Sequence, residues 1–296
     1  MAKKRAFFDK DYLNEEVNKI KGRYVPVKSS LLRIALVKQT RCTNLHPNPD
    51  DEFSMPEIGP NYQIISNYEH QFKQPTVSGR YLDEPLTVER IYPGGYLILN
   101  GHHRWAAAMR LGFDIIPVKI VNLPQEQDIR KILKNSKHDL RVALDLDEVV
   151  FGKDGNEYLE KPLIFPLNRI YKDRLRLGIP ALFRFLAMKG YDIWVYSSEY
   201  YSLGYIKWLF KRYHVHVDGI VTGIKRKSYK RSEEEQRLKS MFENKYVRTI
   251  HISRDLIVRT DRGSKDFKDI ALNCSDEDWS KEVIRAFKEI NADEEN

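Results

Sequence analysis

The sequence predicts an α/β protein built from two domains, and three observations support this prediction. The chain has 296 residues, 42% of them hydrophobic and 11% aromatic, which is enough to bury two cores. From Leu140 onward, apolar strands alternate with amphipathic helices, as in a parallel sheet. A polar stretch, Lys134–Asp139, precedes that alternation. We therefore expect a boundary near residue 135, with an N-terminal extension at 1–23 and domains at 24–135 and 136–296.

The first half contains a strand, a helix and a second strand. Apolar runs at Tyr96–Leu99 and Ile115–Val121 have the composition of strands, and the segment from Trp105 to Leu111 between them is helical in pattern. Gly112 ends this helix, because glycine readily adopts the backbone conformation that follows a helix C-terminus. We expect a compact β–α–β unit here.

The second half is expected to form a parallel sheet with helices between its strands. One helix should begin near Pro180 and end before Gly190, since proline suits the first turn of a helix and glycine the position after its end. Helical stretches of suitable length separate the strand-like runs, which are Val142–Leu144, Ile193–Tyr196, Gly219–Val221 and Thr249–Ile252.

The charge of the chain indicates which class of partner it binds. A formal net charge of +8 and a pI near 9.2 favour an anion, such as a nucleotide, a phosphorylated small molecule or a nucleic acid. Basic residues cluster at Lys225–Arg231, for which a nucleic-acid patch and a solvated loop both stay open.

The chain lacks sequence features of membrane or disulfide-rich proteins. No apolar run approaches the roughly 20 residues that cross a bilayer, and no apolar signal core follows Met1. We therefore expect a cytoplasmic protein with no membrane partner. Cys42 and Cys274 are far apart and lack metal-type spacing, which predicts two buried thiols.

Two aspartates directly follow the first strand of the second half. Asp145 and Asp147 should emerge at the carboxyl edge of the parallel sheet, where open α/β sheets bind ligands. One carboxylate could attack a phosphorus atom while the other acts as general acid–base. A hard cation with oxygen ligands would offset the charge of the phosphate. The alternative is that these acids only cap the turn that follows the strand.

The motifs around Asp145 resemble those of the haloacid dehalogenase-like phosphatase superfamily, over roughly residues 140 to 275. The resemblance implies that Asp145 forms an aspartyl-phosphate, that Asp147 is the acid–base, and that Mg²⁺ is the cofactor. It also implies a hydroxyl that binds the phosphoryl oxygen, a lysine and a hairpin flap. The corresponding residues are Ser197 or else Ser198 for the hydroxyl, Lys225 or else Lys227 for the lysine, and Asp154–Gly155 for the flap.

The fourth motif of that superfamily is an acidic pair that follows a strand and holds magnesium. Here Ser253, Arg254 and Asp255 follow Thr249–Ile252, so the resemblance implies a metal set of Asp145, Asp147 and Asp255. If Ser253 instead occupies the acidic position, metal binding would be weaker. About fifty residues separate the first two motifs, which leaves little room for an inserted lid. We therefore expect a cap-less Rossmann-like domain.

The first half carries a second candidate site between its strand and its helix. Gly101 lets the chain turn, the helix start offers free backbone N–H groups, and Arg104 offers a forked donor. Together they predict a phosphate cradle. His102 and His103 could donate hydrogen bonds, but adjacent histidines point in different directions, which disfavours a shared metal.

This turn resembles the nucleotide-binding turn of the ParB/sulfiredoxin-like superfamily, and the resemblance covers about residues 24 to 122. Members include CTP-hydrolysing partition proteins, ATP-using sulfiredoxins and a free-serine kinase. The resemblance implies an α+β domain that binds a nucleoside di- or triphosphate such as ATP, ADP or CTP. The implied contacts are Asn100, Gly101, His102, His103 and Arg104. A kinase would also need a carboxylate, for which Glu52, Glu57 and Glu69 are candidates, with Glu57 better explained as a solvated loop residue.

Three functions follow as hypotheses. The first is a magnesium-dependent phosphatase or phosphotransferase acting through Asp145, coupled to a nucleotide-binding first half. In the second, the first half is a nucleotide-dependent kinase or nucleotidase and the second half regulates it. In the third, the chain binds nucleotides or nucleic acid, and the phosphatase-like half is degenerate.

Overall fold

The computed structural model describes residues 8–34, 36–74, 84–152, 158–223, 231–264, 266–273 and 275–292, with the backbone alone for 231–235. The chain divides into two compact units, Met1–Asn122 and Leu123–Asn296. Each has a hydrophobic core of its own. In the described ranges, no helix is both long enough and apolar enough to cross a membrane.

The first unit is a mixed sheet with helices packed against it. Its helices are α1 (Lys10–Ile20), α2 (Leu31–Ile34), α3 (Tyr62–Lys73) and α4 (His102–Arg110). Its strands are β1 (Val25–Pro26), β2 (Val37–Arg41), β3 (Leu45–Pro47), β4 (Leu86–Tyr92), β5 (Tyr96–Asn100) and β6 (Ile115–Val121). The strand order is β2-β6-β4-β5-β3, and β1 pairs with β4. The predicted strands β5 and β6 both form, but β4 lies between them.

Helix α4 is buried on nearly all sides in the core of the first unit. Trp105 and the alanines Ala106–Ala108 are fully buried, and small alanines let the helix approach its neighbours closely. The indole nitrogen of Trp105 donates to the backbone oxygen of Cys42 at 3.0 Å. Cys42 is a buried free thiol, as predicted; Cys274 lies outside the described residues. The helix begins three residues before the predicted Trp105, at His102.

Residues 8–20 pack into the core of the first unit, whereas the sequence pattern predicted an extension at 1–23. Leu13 of α1 and the preceding Phe8 belong to the hydrophobic core that also contains Trp105. Glu16 of α1 is buried and receives hydrogen bonds from Lys19 at 2.7 Å and from Nδ1 of His46 in β3 at 3.0 Å. The amphipathic pattern of α1 therefore supplies both apolar and ionic contacts to the sheet.

The second unit has a sheet whose centre is parallel. The strands are β7 (Leu140–Asp145), β8 (Tyr191–Tyr196), β9 (Gly219–Val221), β10 (Arg248–Ile252), β11 (Leu256–Asp261) and β12 (Phe267–Ala271). Their order is β12-β11-β10-β7-β8-β9. The four predicted strands, β7 to β10, all form and are mutually parallel. The antiparallel strands β11 and β12, which extend the sheet, were not predicted.

Helices pack on the faces of this sheet. They are α5 (Glu126–Asn135), α6 (Leu167–Ile170), α7 (Ile179–Met188), α8 (Leu203–Arg212), α9 (Arg231–Lys245) and α10 (Trp279–Ile290). The α7 helix has Pro180 in its first turn and ends before Gly190, as the sequence predicted. Between β7 and α7, the described residues contain only a helical turn, α6 and two isolated bridges, with no large inserted domain.

The division between the units falls before α5, whereas the sequence pattern placed a boundary near residue 135, after it. Ile129 and Leu133 of α5 are buried together with Trp194 of β8 and Phe242 of α9. The polar residues that suggested a boundary are the surface of α5 and the turn after it. This helix therefore belongs to the core of the second unit.

Candidate functional sites

Asp145 ends strand β7 and caps the turn that follows. Its Oδ1 accepts hydrogen bonds from the backbone nitrogens of Asp147 at 2.8 Å and Glu148 at 2.7 Å. The turn, Leu146–Val150, is a π-helical turn, a rare conformation that is frequent at functional sites. The capping role that was the alternative for Asp145 is thus present. It fixes the orientation of the carboxylate at the edge of the sheet.

Asp147 and Ser197 meet at this edge. Strands β7 and β8 are parallel neighbours with Asp145 opposite Tyr196, so the residues that follow each strand lie close together. The hydroxyl of Ser197 is buried and donates to Oδ2 of Asp147 at 2.7 Å. The backbone nitrogen of Glu199 donates to the same hydroxyl at 2.9 Å. Ser198, the alternative hydroxyl, is exposed.

The surroundings of Asp147 favour its protonated form. Burial raises the pKa of Asp147, and the nearby charge of Asp145 raises it further, whereas the hydrogen bond from Ser197 opposes both. The Tyr201 hydroxyl is close enough to lower this pKa as well, but its geometry is not that of a hydrogen bond. The second oxygen of Asp147, Oδ1, is buried without a hydrogen-bond partner. The site therefore contains an acid with a raised pKa and a free acceptor atom.

Asp255 does not join the two aspartates of the implied metal set. In the described part of the chain, no group of three His, Cys, Asp or Glu side chains is placed to hold a metal ion. Ile252 of β10 lies opposite Leu144, so the residue that follows at the sheet edge is Ser253. Its backbone nitrogen donates to the backbone oxygen of Leu256 in a tight turn, which places Asp255 on the exposed side.

Two further features implied by the phosphatase resemblance lie outside the described residues. The lysine alternatives Lys225 and Lys227 fall between 223 and 231, and the flap Asp154–Gly155 falls between 152 and 158. They stay predictions from the sequence.

In the first unit, Gly101 makes the turn between β5 and α4. Its φ is +101°, and a Cβ at this position would lie 2.4 Å from Cδ2 of Leu86. Only glycine fits both the backbone conformation and the space. Asn100 is the last residue of β5, opposite Thr87. The predicted turn is therefore present, with the start of α4 directly after it.

The two histidines hold a neighbouring loop in place. Nε2 of His102 accepts from the backbone nitrogen of Asn48, and Nε2 of His103 accepts from that of Asn61, each at 3.1 Å. Burial lowers the pKa of His103, although the charge of Asp51 opposes the shift. An acceptor nitrogen carries no proton, so neither Nε2 can donate to a phosphate in this arrangement.

Arg104 is buried and paired with Glu84, which lies two residues before the start of β4. Its guanidinium lies 2.9 Å from a carboxylate oxygen of Glu84 and also donates to the backbone oxygen of that residue at 3.1 Å. The predicted role in phosphate binding therefore requires Glu84, which is largely exposed, to give up its contact. The backbone N–H groups at the start of α4 are the other donors of the predicted cradle.

The candidate carboxylates of the first half differ in their surroundings. Glu69 forms an ion pair with Arg110 at 2.7 Å, whereas Glu52 and Glu57 are exposed. Sequence reasoning missed Phe53, whose ring stacks on that of His102, with 5.3 Å between centroids. It also missed the pairing of Glu84 with Arg104. No local pattern marks either contact.

Comparisons with known proteins give a match in the first half. Residues 71–137 match the ParB N-terminal domain family. A solved structure, the C-terminally truncated chromosome-partitioning protein ParB from Caulobacter crescentus complexed with CTP-gamma-S, shows 21% identity and a TM-score of 0.25. That similarity covers 35% of this chain and 56% of the ParB chain, about half its length. No curated protein matches. The family match confirms the ParB-like resemblance for residues 71–137, which include the turn from Asn100 to Arg104.

Proposed function

We propose that the second unit hydrolyses or transfers the phosphate of a phosphomonoester through Asp145. The observation that supports this best is the pairing of Asp147 with Ser197 beside Asp145, at adjacent ends of two parallel strands. A capped, oriented carboxylate next to an acid with a raised pKa is the pair that this chemistry needs.

The proposed reaction has two displacement steps. Oδ1 of Asp145 is held by two backbone N–H groups, so the attacking atom is Oδ2. Attack forms a phosphorus–oxygen bond, breaks the bond to the alcohol, and Asp147 gives its proton to the departing oxygen. Asp147 then takes a proton from water, which attacks phosphorus and releases phosphate and the Asp145 carboxylate. Ser197 orients Asp147 through its hydrogen bond in both steps.

The residues present fit a hard cation of the Mg²⁺ type. Mg²⁺ is commonly held by one or two carboxylates together with water and substrate phosphate oxygens. Asp145 would supply a carboxylate ligand, without Asp255, and Asp147 Oδ1, which is buried without a partner, would add a second one when Asp147 is ionised. When bound, the cation would neutralise charge on the transferring phosphoryl group.

The first test is phosphate release from an aryl phosphate and a panel of nucleotides, with and without Mg²⁺. Asp145→Asn removes the nucleophile, and we expect it to lower the rate by at least about a thousandfold, since loss of a covalent nucleophile typically costs several orders of magnitude. Asp269→Asn, an exposed aspartate on β12, is the matched control and should keep wild-type activity. Activity that survives Asp145→Asn would exclude the proposal.

A second proposed function belongs to the first unit: binding of a nucleoside di- or triphosphate at the start of α4. The family match over residues 71–137 and the glycine turn at Gly101 support it. Calorimetric titration with CTP, ATP and ADP tests it. Arg104→Ala should weaken binding, whereas Arg110→Ala, a change on the same helix, should not. Equal binding by the two variants would argue against a phosphate-binding role for Arg104.

The third hypothesis, nucleic-acid binding, makes a different prediction. Affinity for DNA or RNA should fall steeply as salt rises, because each phosphate contact releases about one counterion. Binding that is absent or insensitive to salt would remove this hypothesis without affecting the other two.

A further inference from the structure

A groove of about 1060 Å³ lies along the sheet of the second unit, a volume suited to a small-molecule ligand. Arg141, Thr249 and His251 line it, and they alternate with residues of the main core, so they point to the other face of the sheet. Helix α9 forms one wall. Asp145 also lines the groove, so the space reaches from the start of β7 to the proposed catalytic edge.

Arg141 is the unusual residue of this groove. It is only 8% exposed, and it donates to the hydroxyl groups of Thr249 and Tyr196, each at 3.2 Å. Its guanidinium lies 4.3 Å from the ring centre of Phe242. Among the described residues, no carboxylate lies within 4.0 Å of Arg141. A buried charge without a counterion is costly, and a bound anion would offset that cost.

Besides Asp145, the described carboxylates that line the groove are Asp261 and Glu243, and neither lies within 4.0 Å of Arg141. Asp261 pairs with Arg248 and Arg259. Glu243 lies 3.6 Å from Lys239, one turn away on the same helix. Among the described residues, none therefore forms an ion pair with Arg141 at its end of the groove.

The mouth of the groove and its wall favour an anion over an aromatic ring. Arg262 is exposed at the mouth and donates to the backbone oxygen of Asn244, and no described carboxylate pairs with it. The ring of Phe242 is already covered by Arg141 and by Trp194, whose ring centre lies 4.7 Å away. Little of the Phe242 ring is left for stacking, whereas guanidinium N–H groups of Arg141 beyond those bonded to the hydroxyls remain.

We propose that Arg141 binds a second phosphate group of the substrate, remote from the one that reacts at Asp145. This inference rests on the proposed hydrolysis and specifies its substrate class, a phosphomonoester that carries another phosphate. Arg141 and Asp145 are four residues apart on one strand, which separates their Cα atoms by about 13 Å. Small bisphosphates and the phosphorylated end of an oligonucleotide both have this chemistry.

The test is calorimetric binding of inorganic pyrophosphate to the full chain without Mg²⁺. The charge of the Asp145 carboxylate repels the probe from the catalytic edge when no Mg²⁺ is present, so binding reports on the groove. We expect Arg141→Gln to lower the affinity about tenfold or more, as for loss of a charged hydrogen bond. Arg130→Gln, on the exposed face of α5, is the matched control and should bind as wild type does.

The thermal unfolding of each variant is measured first, because Arg141 is buried. If Arg141→Gln fails to fold, Arg262→Glu at the exposed mouth replaces it and should also weaken pyrophosphate binding. No binding by the wild type, or equal binding by folded Arg141→Gln, Arg130→Gln and wild type, would overturn the proposal. Unchanged binding by Arg262→Glu would overturn it where Arg141→Gln cannot be used.

Turnover then separates this inference from the proposed reaction. A nucleoside 3′,5′-bisphosphate and a 5′-phosphorylated oligonucleotide are compared with an aryl phosphate. In the wild type, kcat/KM should be higher for one of the first two than for the aryl phosphate, and Arg141→Gln should lose this preference. Arg141-dependent pyrophosphate binding without any turnover would keep the groove as a phosphate site and exclude the hydrolysis. Turnover without a preference for these two substrates, or with a preference that Arg141→Gln keeps, would exclude the groove as a phosphate site and keep the hydrolysis.

Discussion

At the scale of single residues, the environment of Asp147 sets the properties of the proposed active site. Its carboxyl group combines a raised pKa, one bond to a buried hydroxyl and one oxygen without a partner. Such a group favours proton transfer at the expense of folding stability. Substitution of Asp147 should therefore change the stability of the fold, and substitution of Ser197 should change the pH dependence of catalysis.

Asp147→Asn should raise the melting temperature at pH 7. The pKa of Asp147 is raised above its ordinary value of 3.8, so the ionised form destabilises the folded state at pH values above the raised pKa. Below pH 3.8 the carboxyl is protonated in both the folded and unfolded states, and the difference should vanish. Melting curves of the wild type and the variant, measured from pH 7 to below pH 3.8, check the prediction. A variant that is less stable than wild type at pH 7 would contradict it.

Ser197→Ala should move the alkaline limb of the phosphatase pH profile to higher pH. The Ser197 hydrogen bond lowers the pKa of Asp147, so its removal raises that pKa and keeps the acid protonated to a higher pH. Ser197→Thr keeps the hydroxyl and should leave the limb in place. Profiles of kcat measure the shift, and a purely structural role for Ser197 would lower the rate without moving the limb.

At the scale of elements, sequence patterns predict where a turn lies better than they predict its conformation and contacts. Gly101 predicted the turn before α4, and its positive φ and the contact with Leu86 explain why glycine stands there. The π-helical turn after Asp145 and the pairing of Arg104 with Glu84 depend on tertiary contacts. Hydrophobic periodicity predicted β7 to β10 but missed β11, which pairs with β10 across a short turn.

Gly101→Ala should destabilise the first unit by about 1 to 3 kcal/mol, as expected for a residue forced into a sparsely populated backbone region. Gly22→Ala is the matched control, because Gly22 also has a positive φ of +70° but nothing lies within 4 Å of a Cβ there. It should cost less, and the difference measures the crowding by Leu86. Urea unfolding gives both values, and equal losses would show that crowding has no effect.

At the scale of the whole molecule, the sequence pattern predicted two domains but did not assign α1 and α5 to the units in which they pack. Both helices are short and polar on one face, and the residues that bind them to their cores lie far along the chain. Ile129 of α5 packs with Trp194 and Phe242, and Glu16 of α1 pairs with His46. Burial and pairing of this kind cannot be read from local composition.

A fragment of residues 123–296 should unfold cooperatively, whereas a fragment of residues 136–296 should not. The shorter fragment lacks α5 and would expose part of the cluster formed by Ile129, Leu133, Trp194 and Phe242. Circular dichroism during heating distinguishes a single sharp transition from a broad one. Equal transitions in the two fragments would place the true boundary near residue 135.

The last strand of the second sheet has a consequence for self-association. In the described structure β12 ends the sheet, and an end strand can pair through its backbone with a strand of another molecule and so seed aggregation. Phe267, which is 65% exposed, would strengthen such a pairing. Lys268 and Asp269 follow it, and charged side chains on an end strand oppose the approach of an identical strand. We therefore expect these two residues to disfavour intermolecular sheets.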